Sequence, residues 1–268
     1  MQNKTNIQVI LDAVRKIGDA FLKEYKQNPI PQSMDELLKQ LDDIDDKCLT
    51  SLKKDLSLEF PDTPWHIGDE FDTDSQRSPA RQDEYWLCDA MDGAIQYLQH
   101  IAGWTINLVL VRQGKPALSV IYDPLAGEMF WAIDGEGAFM NSKLLKLSQK
   151  TDLSVMLAVF DYGHQDKSDN QLNEKIGSTV TKLLHNFGIV RNYGPHGLQL
   201  AYVGAGRIDL FVQEDIDTYN WIAGLLIAKE AGADLLTTTG EPWKWGSESL
   251  LVASKRTIEK YLEIKSTI

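Results

Sequence analysis

Apolar residues return at three- and four-residue intervals from Asn6 to Tyr25, at Ile7, Ile10, Leu11, Val14, Ile17, Phe21, Leu22 and Tyr25. That spacing predicts one amphipathic helix. Asn28-Pro-Ile-Pro-Gln-Ser interrupts it, and Ser33 reads as the cap of a second helix through Leu37, Leu38 and Leu41. The second helix is expected to continue past Leu49, Leu52 and Leu56 to Phe60, where Pro61 and Pro64 stop it. The pattern then shortens to strands. Residues 104–112, Ala117–Tyr122 and Met129–Ile133, turned by Gly114-Lys-Pro and Asp123-Pro-Leu-Ala-Gly, predict an antiparallel meander. Gly135-Glu-Gly-Ala is expected to carry the chain out of it.

Beyond Ser148 strands and helices alternate. Strands are predicted at Val155–Phe160, Gly188–Asn192, Ile208–Val212, Asp234–Thr237 and Ser249–Ala253, and helices at Asn173–Phe187, Leu198–Gly204 and Ile222–Ala231. Alternation of this kind implies an α/β layered arrangement. The reading divides the chain into an α+β half over 1–148 and an α/β half over 149–268. No repeat, low-complexity tract or flexible linker separates them, so an extensive shared interface is expected.

The length of 268 residues suits one large domain or two closely joined halves, and 43% apolar with 25% charged residues is ordinary for a soluble protein. Lys and Arg number 27 against 39 Asp and Glu, a formal charge of −12. That balance opposes a long phosphate-backbone footprint, so no nucleic-acid partner is expected. An acidic protein can still take phosphate esters where metal ions invert the local charge. Cys48 and Cys88 form no zinc-like spacing, and no apolar run approaches the ~20 residues that cross a bilayer. The first residues lack a basic stretch followed by an apolar core, so a cytoplasmic setting without membrane contact is expected.

Candidate chemistry centres on Trp86-Leu-Cys-Asp-Ala-Met-Asp-Gly-Ala94, where Asp89 and Asp92 are expected in a short loop leading into Gly93. Two carboxylates followed by backbone N–H groups at a helix start, here Ile95–His100, suit a hard divalent cation holding a phosphate. The D-x-x-D-G spacing also occurs in plain acidic turns. Three further acidic stations stand at Asp45 within Asp42–Asp46, at Asp69 with Glu70, and at Glu214-Asp-Ile-Asp217. Each alone reads as solvated surface. Carboxylates packed side by side repel unless cations lie between them, so convergence on a metal site is the better reading of the set.

Several ordered segments resemble the inositol monophosphatase family of magnesium-dependent phosphatases. Ile67-Gly-Asp-Glu is similar to its G-E-E motif, and Trp86-Leu-Cys-Asp-Ala-Met-Asp-Gly to W-x-x-D-P-I-D-G. Ile121-Tyr-Asp-Pro, Gly135-Glu-Gly-Ala-Phe-Met-Asn, Leu200-Ala-Tyr-Val-Gly-Ala-Gly-Arg-Ile-Asp and Ala223-Gly-Leu-Leu-Ile-Ala-Lys-Glu-Ala-Gly extend the likeness over nearly the whole chain. The resemblance implies a layered α-β-α-β-α sandwich, assembled as a homodimer. It places metal ligands on Asp69, Asp89, the main-chain carbonyl of Met91, Asp92 and the Asn220 position. Magnesium is the implied cofactor, with manganese as the alternative. Glu70 and Asp45, the latter fitting a D-x-K pattern with Lys47, are implied to activate the attacking water together with Asp92. Gly93 and Ala94 are implied to cradle the phosphate of a small phosphorylated polyol, sugar or nucleotide.

The chain departs from the family pattern at informative positions. Ala94 stands where the family has a threonine hydroxyl, and Asn220 where it has a metal-binding aspartate. Gln213 replaces a glutamate that contacts substrate hydroxyls, and His196 replaces a small residue of the substrate loop. Asp217 reads as the cap of the following helix, with replacement of the lost ligand as its alternative. The function implied is a magnesium-dependent phosphatase of small monoesters. The alternative, motivated by Ala94 and Asn220, is a non-catalytic dimeric scaffold.

Overall fold

Two sheets, with their central strands buried on both faces, organise the chain. The computed structural model describes residues 6–67, 72–163 and 168–266. The first sheet runs in chain order: β1 (Trp65–Ile67), β2 (Tyr85–Asp92), β3 (Thr105–Arg112), β4 (Lys115–Asp123), β5 (Glu128–Ile133), β6 (Gly137–Met140) and β7 (Lys143–Leu144). β1 lies parallel to β2, and every later neighbour is antiparallel. The second sheet, in order β11-β12-β10-β8-β9, joins β8 (Leu157–Asp161), β9 (Ile189–Arg191), β10 (Leu210–Gln213), β11 (Asp234–Leu236) and β12 (Leu250–Ala253).

Helices fill the remaining layers. α1 (Ile7–Glu24) and α2 (Met34–Leu56) turn Ile10, Val14, Phe21, Cys48 and Leu52 onto one face of the first sheet, against Trp86, Cys88, Leu108 and Val120. Its other face, carrying Tyr85, Leu87, Val109 and Ile121, packs on α5 (His196–Gly204) and α6 (Thr218–Glu230). Those helices also meet Val159, Phe211 and Val252 of the second sheet. The second sheet's outer face, with Ala158, Leu210 and Val212, is covered by α4 (Asn170–Asn186) and α7 (Lys255–Ser266). The result is the expected α-β-α-β-α sandwich, with α5 and α6 as its middle layer.

The central helices approach closely because Gly224 has no side chain. A Cβ there would lie 2.4 Å from Leu200 Cβ and 2.8 Å from the Gly197 carbonyl oxygen. The cap expected at Ser33 is present, its hydroxyl accepting from the Glu36 N–H at 3.2 Å.

Several elements differ from the sequence reading. Residues 85–92 form a strand rather than a loop, and the meander continues through β6 and β7 instead of ending at Gly135. α2 stops at Leu56, short of Phe60. β1 and α7 were not expected. A short helix, α3 (Ala94–Leu98), follows β2 directly.

Candidate active site

Strand parity brings Asp89 to the site. Trp86 and Cys88 point at α1 and α2, so Tyr85, Leu87 and Asp89 lie on the opposite side, toward α5 and α6. Asp92, three residues on, would face away on a regular strand. The ladder slips between them: Asp89 pairs with Asn107 and Asp92 with Thr105, so three steps on β2 match two on β3. This bulge returns the second carboxylate to the first one's side. Asn107 Nδ2 then donates to both, at 3.1 Å to Asp92 Oδ2 and 3.4 Å to Asp89 Oδ2.

Two more groups fix the pair. Thr105 Oγ1 donates to Asn107 Oδ1 at 2.9 Å and orients the bridging amide. The Gly197 N–H, in the first turn of α5, donates to Asp92 Oδ2 at 2.8 Å, a helix start meeting an anion. A Cβ at Gly197 would stand 2.8 Å from Asn107 Nδ2 and 3.0 Å from Asp92 Oδ2. Asn107 and Gly197 were missed from sequence. The signal was present: a polar residue buried in an apolar strand, and a glycine opening a helix, each needs a local reason.

Gly93 follows at φ 86°, where a Cβ would meet the Gly103 carbonyl oxygen at 2.6 Å. α3 opens at Ala94, which packs beside the α1/α2 core and offers no side-chain oxygen. First-turn amides of a helix have no carbonyl partner within it. Asp45 is an exposed residue of α2, and its charge acts on Cys88, the neighbour of Asp89. Asp69 and Glu70 lie outside the described residues. Among the described residues no three His, Cys, Asp or Glu side chains form a group able to hold a metal ion. Asp89 and Asp92 nonetheless offer two converging carboxylates, the donor chemistry a hard divalent cation takes.

Beside the Asp89–Asp92 pair a second polar group gathers at the strand ends. His196 Nε2 lies 3.2 Å from Asp217 Oδ2 and 3.6 Å from Asp161 Oδ1. Asn220 Nδ2 donates to Asp217 Oδ1 at 2.8 Å, and Gln213 Nε2 donates to Asp217 Oδ2 at 3.3 Å. Gln213 is buried, and its Oε1 accepts from Trp221 Nε1 at 2.8 Å. Burial alone would lower the His196 pKa, but the carboxylates of Asp161, Asp217 and Asp92 outweigh it and push it up to about 9.

The acidic run at 214–217 does not converge as a unit. Glu214 turns to the outer layer, accepting from Thr179 at 2.6 Å and Thr238 at 2.7 Å, with Lys175 at 2.8 Å. Asp215 accepts from the Gly163 N–H at 2.7 Å, and burial pushes its carboxyl up to about 6. Asp217 stands at the N-cap position of α6, as expected, but its side chain makes no cap hydrogen bond and instead accepts from the Asn220 and Gln213 amides. A separate cavity of about 390 Å³, lined by Leu157, Ile189, Tyr193 and Tyr202 among others, includes none of these residues.

The sequence profile of the inositol monophosphatase family matches residues 2–267. The chain belongs to this family. Among curated relatives, it is 27% identical to inositol-1-monophosphatase of Rhizobium meliloti, over 87% of this chain and 85% of that one. It is 26% identical to Nus factor SuhB of Xylella fastidiosa, over 85% and 80% of the two chains. Among solved structures, SuhB from Bartonella henselae superposes with a TM-score of 0.79 at 22% identity, over 98% and 99% of the two chains. Inositol monophosphatase from Anabaena gives 0.76 at 23% identity, over 98% of each. At these identities the superpositions establish the fold, and they agree with the five layers described above.

Proposed function

We propose that this inositol monophosphatase family member is a phosphatase, hydrolysing a small phosphate monoester with magnesium held at the Asp89–Asp92 pair. The observation that carries the reading is the β2 bulge, which turns both carboxylates onto one side under a single shared amide. The family and the names of its relatives support a phosphatase-type hydrolase. In this reading Asp69, Asp89, the Met91 carbonyl and Asp92 hold the cation, as the resemblance implies. When bound, magnesium would supply Lewis acidity toward the phosphoryl group and lower the pKa of water.

The chain's residues do the remaining work. Asn107, oriented by Thr105, keeps the two aspartates at fixed separation, and the α5 amide of Gly197 holds Asp92 against rotation. As the resemblance implies, Asp45 takes the proton of the attacking water and Glu70 orients that water. The Gly93 and Ala94 amides hold the phosphoryl oxygens. Ala94 adds no hydroxyl, so water placement rests on the carboxylates, and a positioned proton acceptor is worth about 10²–10⁴ in rate.

Purified protein with magnesium should release phosphate from members of a panel of polyol, sugar and nucleotide monoesters. Absence of release from all of them sinks the proposal. Ala94 and Asn220 favour one second reading, a non-catalytic dimeric scaffold. Ala94→Thr combined with Asn220→Asp separates the two: activity arising only in this variant supports the scaffold, whereas an active wild type excludes it.

A further inference from the structure

Asp217 and Asp161 are buried carboxylates, and both have their oxygens engaged from inside the protein. Asp217 receives the Asn220 amide on Oδ1 and the Gln213 amide on Oδ2, with His196 Nε2 3.2 Å from the latter. Asp161 accepts from Gln199 Nε2 at 2.6 Å, Asn192 Nδ2 at 3.2 Å and the Tyr162 N–H at 3.0 Å, and His196 Nε2 stands 3.6 Å away. A bound cation requires lone pairs aimed at one point. Here donor hydrogens are aimed at the carboxylates instead, and the side of Asn220 that faces Asp217 is its N–H₂ end.

Two buried carboxylates without a positive group nearby would be strongly unfavourable. The group the chain supplies is an imidazole, fixed at the first residue of α5. The next residue, Gly197, bonds Asp92 of the neighbouring carboxylate pair. The first turn of α5 therefore touches both groups.

We propose that the His196–Asp217–Asn220 corner, together with Asp161, takes the place of a second bound cation, so that the chain holds metal on the Asp89–Asp92 side only. His196 is then a positioning residue: its ring fills the corner, 3.2 Å from Asp217 and 3.6 Å from Asp161. The inference rests on the phosphatase reading for the metal at Asp89 and Asp92, but its test needs no substrate.

Manganese bound per chain can be counted by equilibrium dialysis with electron paramagnetic resonance of the free ion, at one fixed neutral pH. The wild type should bind one ion. His196→Ala with Asn220→Asp removes the internal imidazole and restores a third carboxylate, and should bind two. Two ions on the wild type, or an unchanged count in the double variant, overturns the inference while leaving the metal reading intact. No ion on the wild type removes the Asp89–Asp92 reading, and this one with it. If the double variant does not fold, the wild-type count alone decides.

Discussion

Asn107 donates one amide nitrogen to two carboxylates and takes its own orientation from Thr105. Neither an aspartate nor an apolar side chain could do this at the same position, because the first adds repulsion and the second supplies no donor. Asn107→Ala should weaken apparent magnesium affinity about 10–100-fold, the usual effect of losing a group that orients metal ligands. Excess magnesium should recover much of the rate; a variant with unaltered magnesium dependence would contradict the assignment. His196 makes a different prediction. Its folded pKa, raised to about 9, lies above the ordinary value of 6.5. The charged ring therefore contributes stability that is complete below pH 6.5 and lost as pH rises through 9. Urea midpoints should fall across that window, and His196→Gln should remove most of the fall. An equal slope in the variant would show that the carboxylates around His196 do not hold its charge.

At the scale of elements, one irregularity in β2 and one close helix crossing position the site. The bulge sets the direction of Asp92, and the α5/α6 contact at Gly224 sets the height of the α5 amide beneath it. Gly224→Ala must push Leu200 or the Gly197 carbonyl aside, and should lower stability by about 1–3 kcal/mol as overpacking does. Denaturant midpoints would check this, and a neutral effect would mean that α5 moves freely. The elements with clear periodicity were legible in sequence: α1, the β3–β5 meander and the cap at Ser33. Residues 85–92 were not, since that strand is covered on both faces and shows no alternation of apolar with polar residues. α6 is buried almost all round, so it lacks the polar face that would mark its start at Thr218, four residues before the expected Ile222. α7 was hidden by the opposite effect, a half-charged helix with Thr257, Ile258 and Tyr261 as its buried contacts. Asp89 and Asp92 were legible from their motif, whereas Asn107 became visible only once β3 was paired with β2.

Over the whole molecule, five layers place the site at strand ends beside the central helices, where both sheets contribute side chains. The chain carries a formal charge of −12, and part of that charge, Asp89, Asp92, Asp161 and Asp217, is gathered at the site with His196 as the nearby counter-charge. Such a site favours a cation before an anionic ester can approach. As a proposal from the family resemblance, light scattering in solution should give about twice the 30.2 kDa chain mass, and a monomer would oppose the dimer. The central claim is that Asp89 and Asp92 jointly seat a divalent cation against a phosphate. Anomalous diffraction from a crystal soaked in manganese and phosphate tests it most directly. The account predicts a manganese peak in contact with both carboxylates and with the phosphate; phosphate bound elsewhere, or no peak between Asp89 and Asp92, would contradict it.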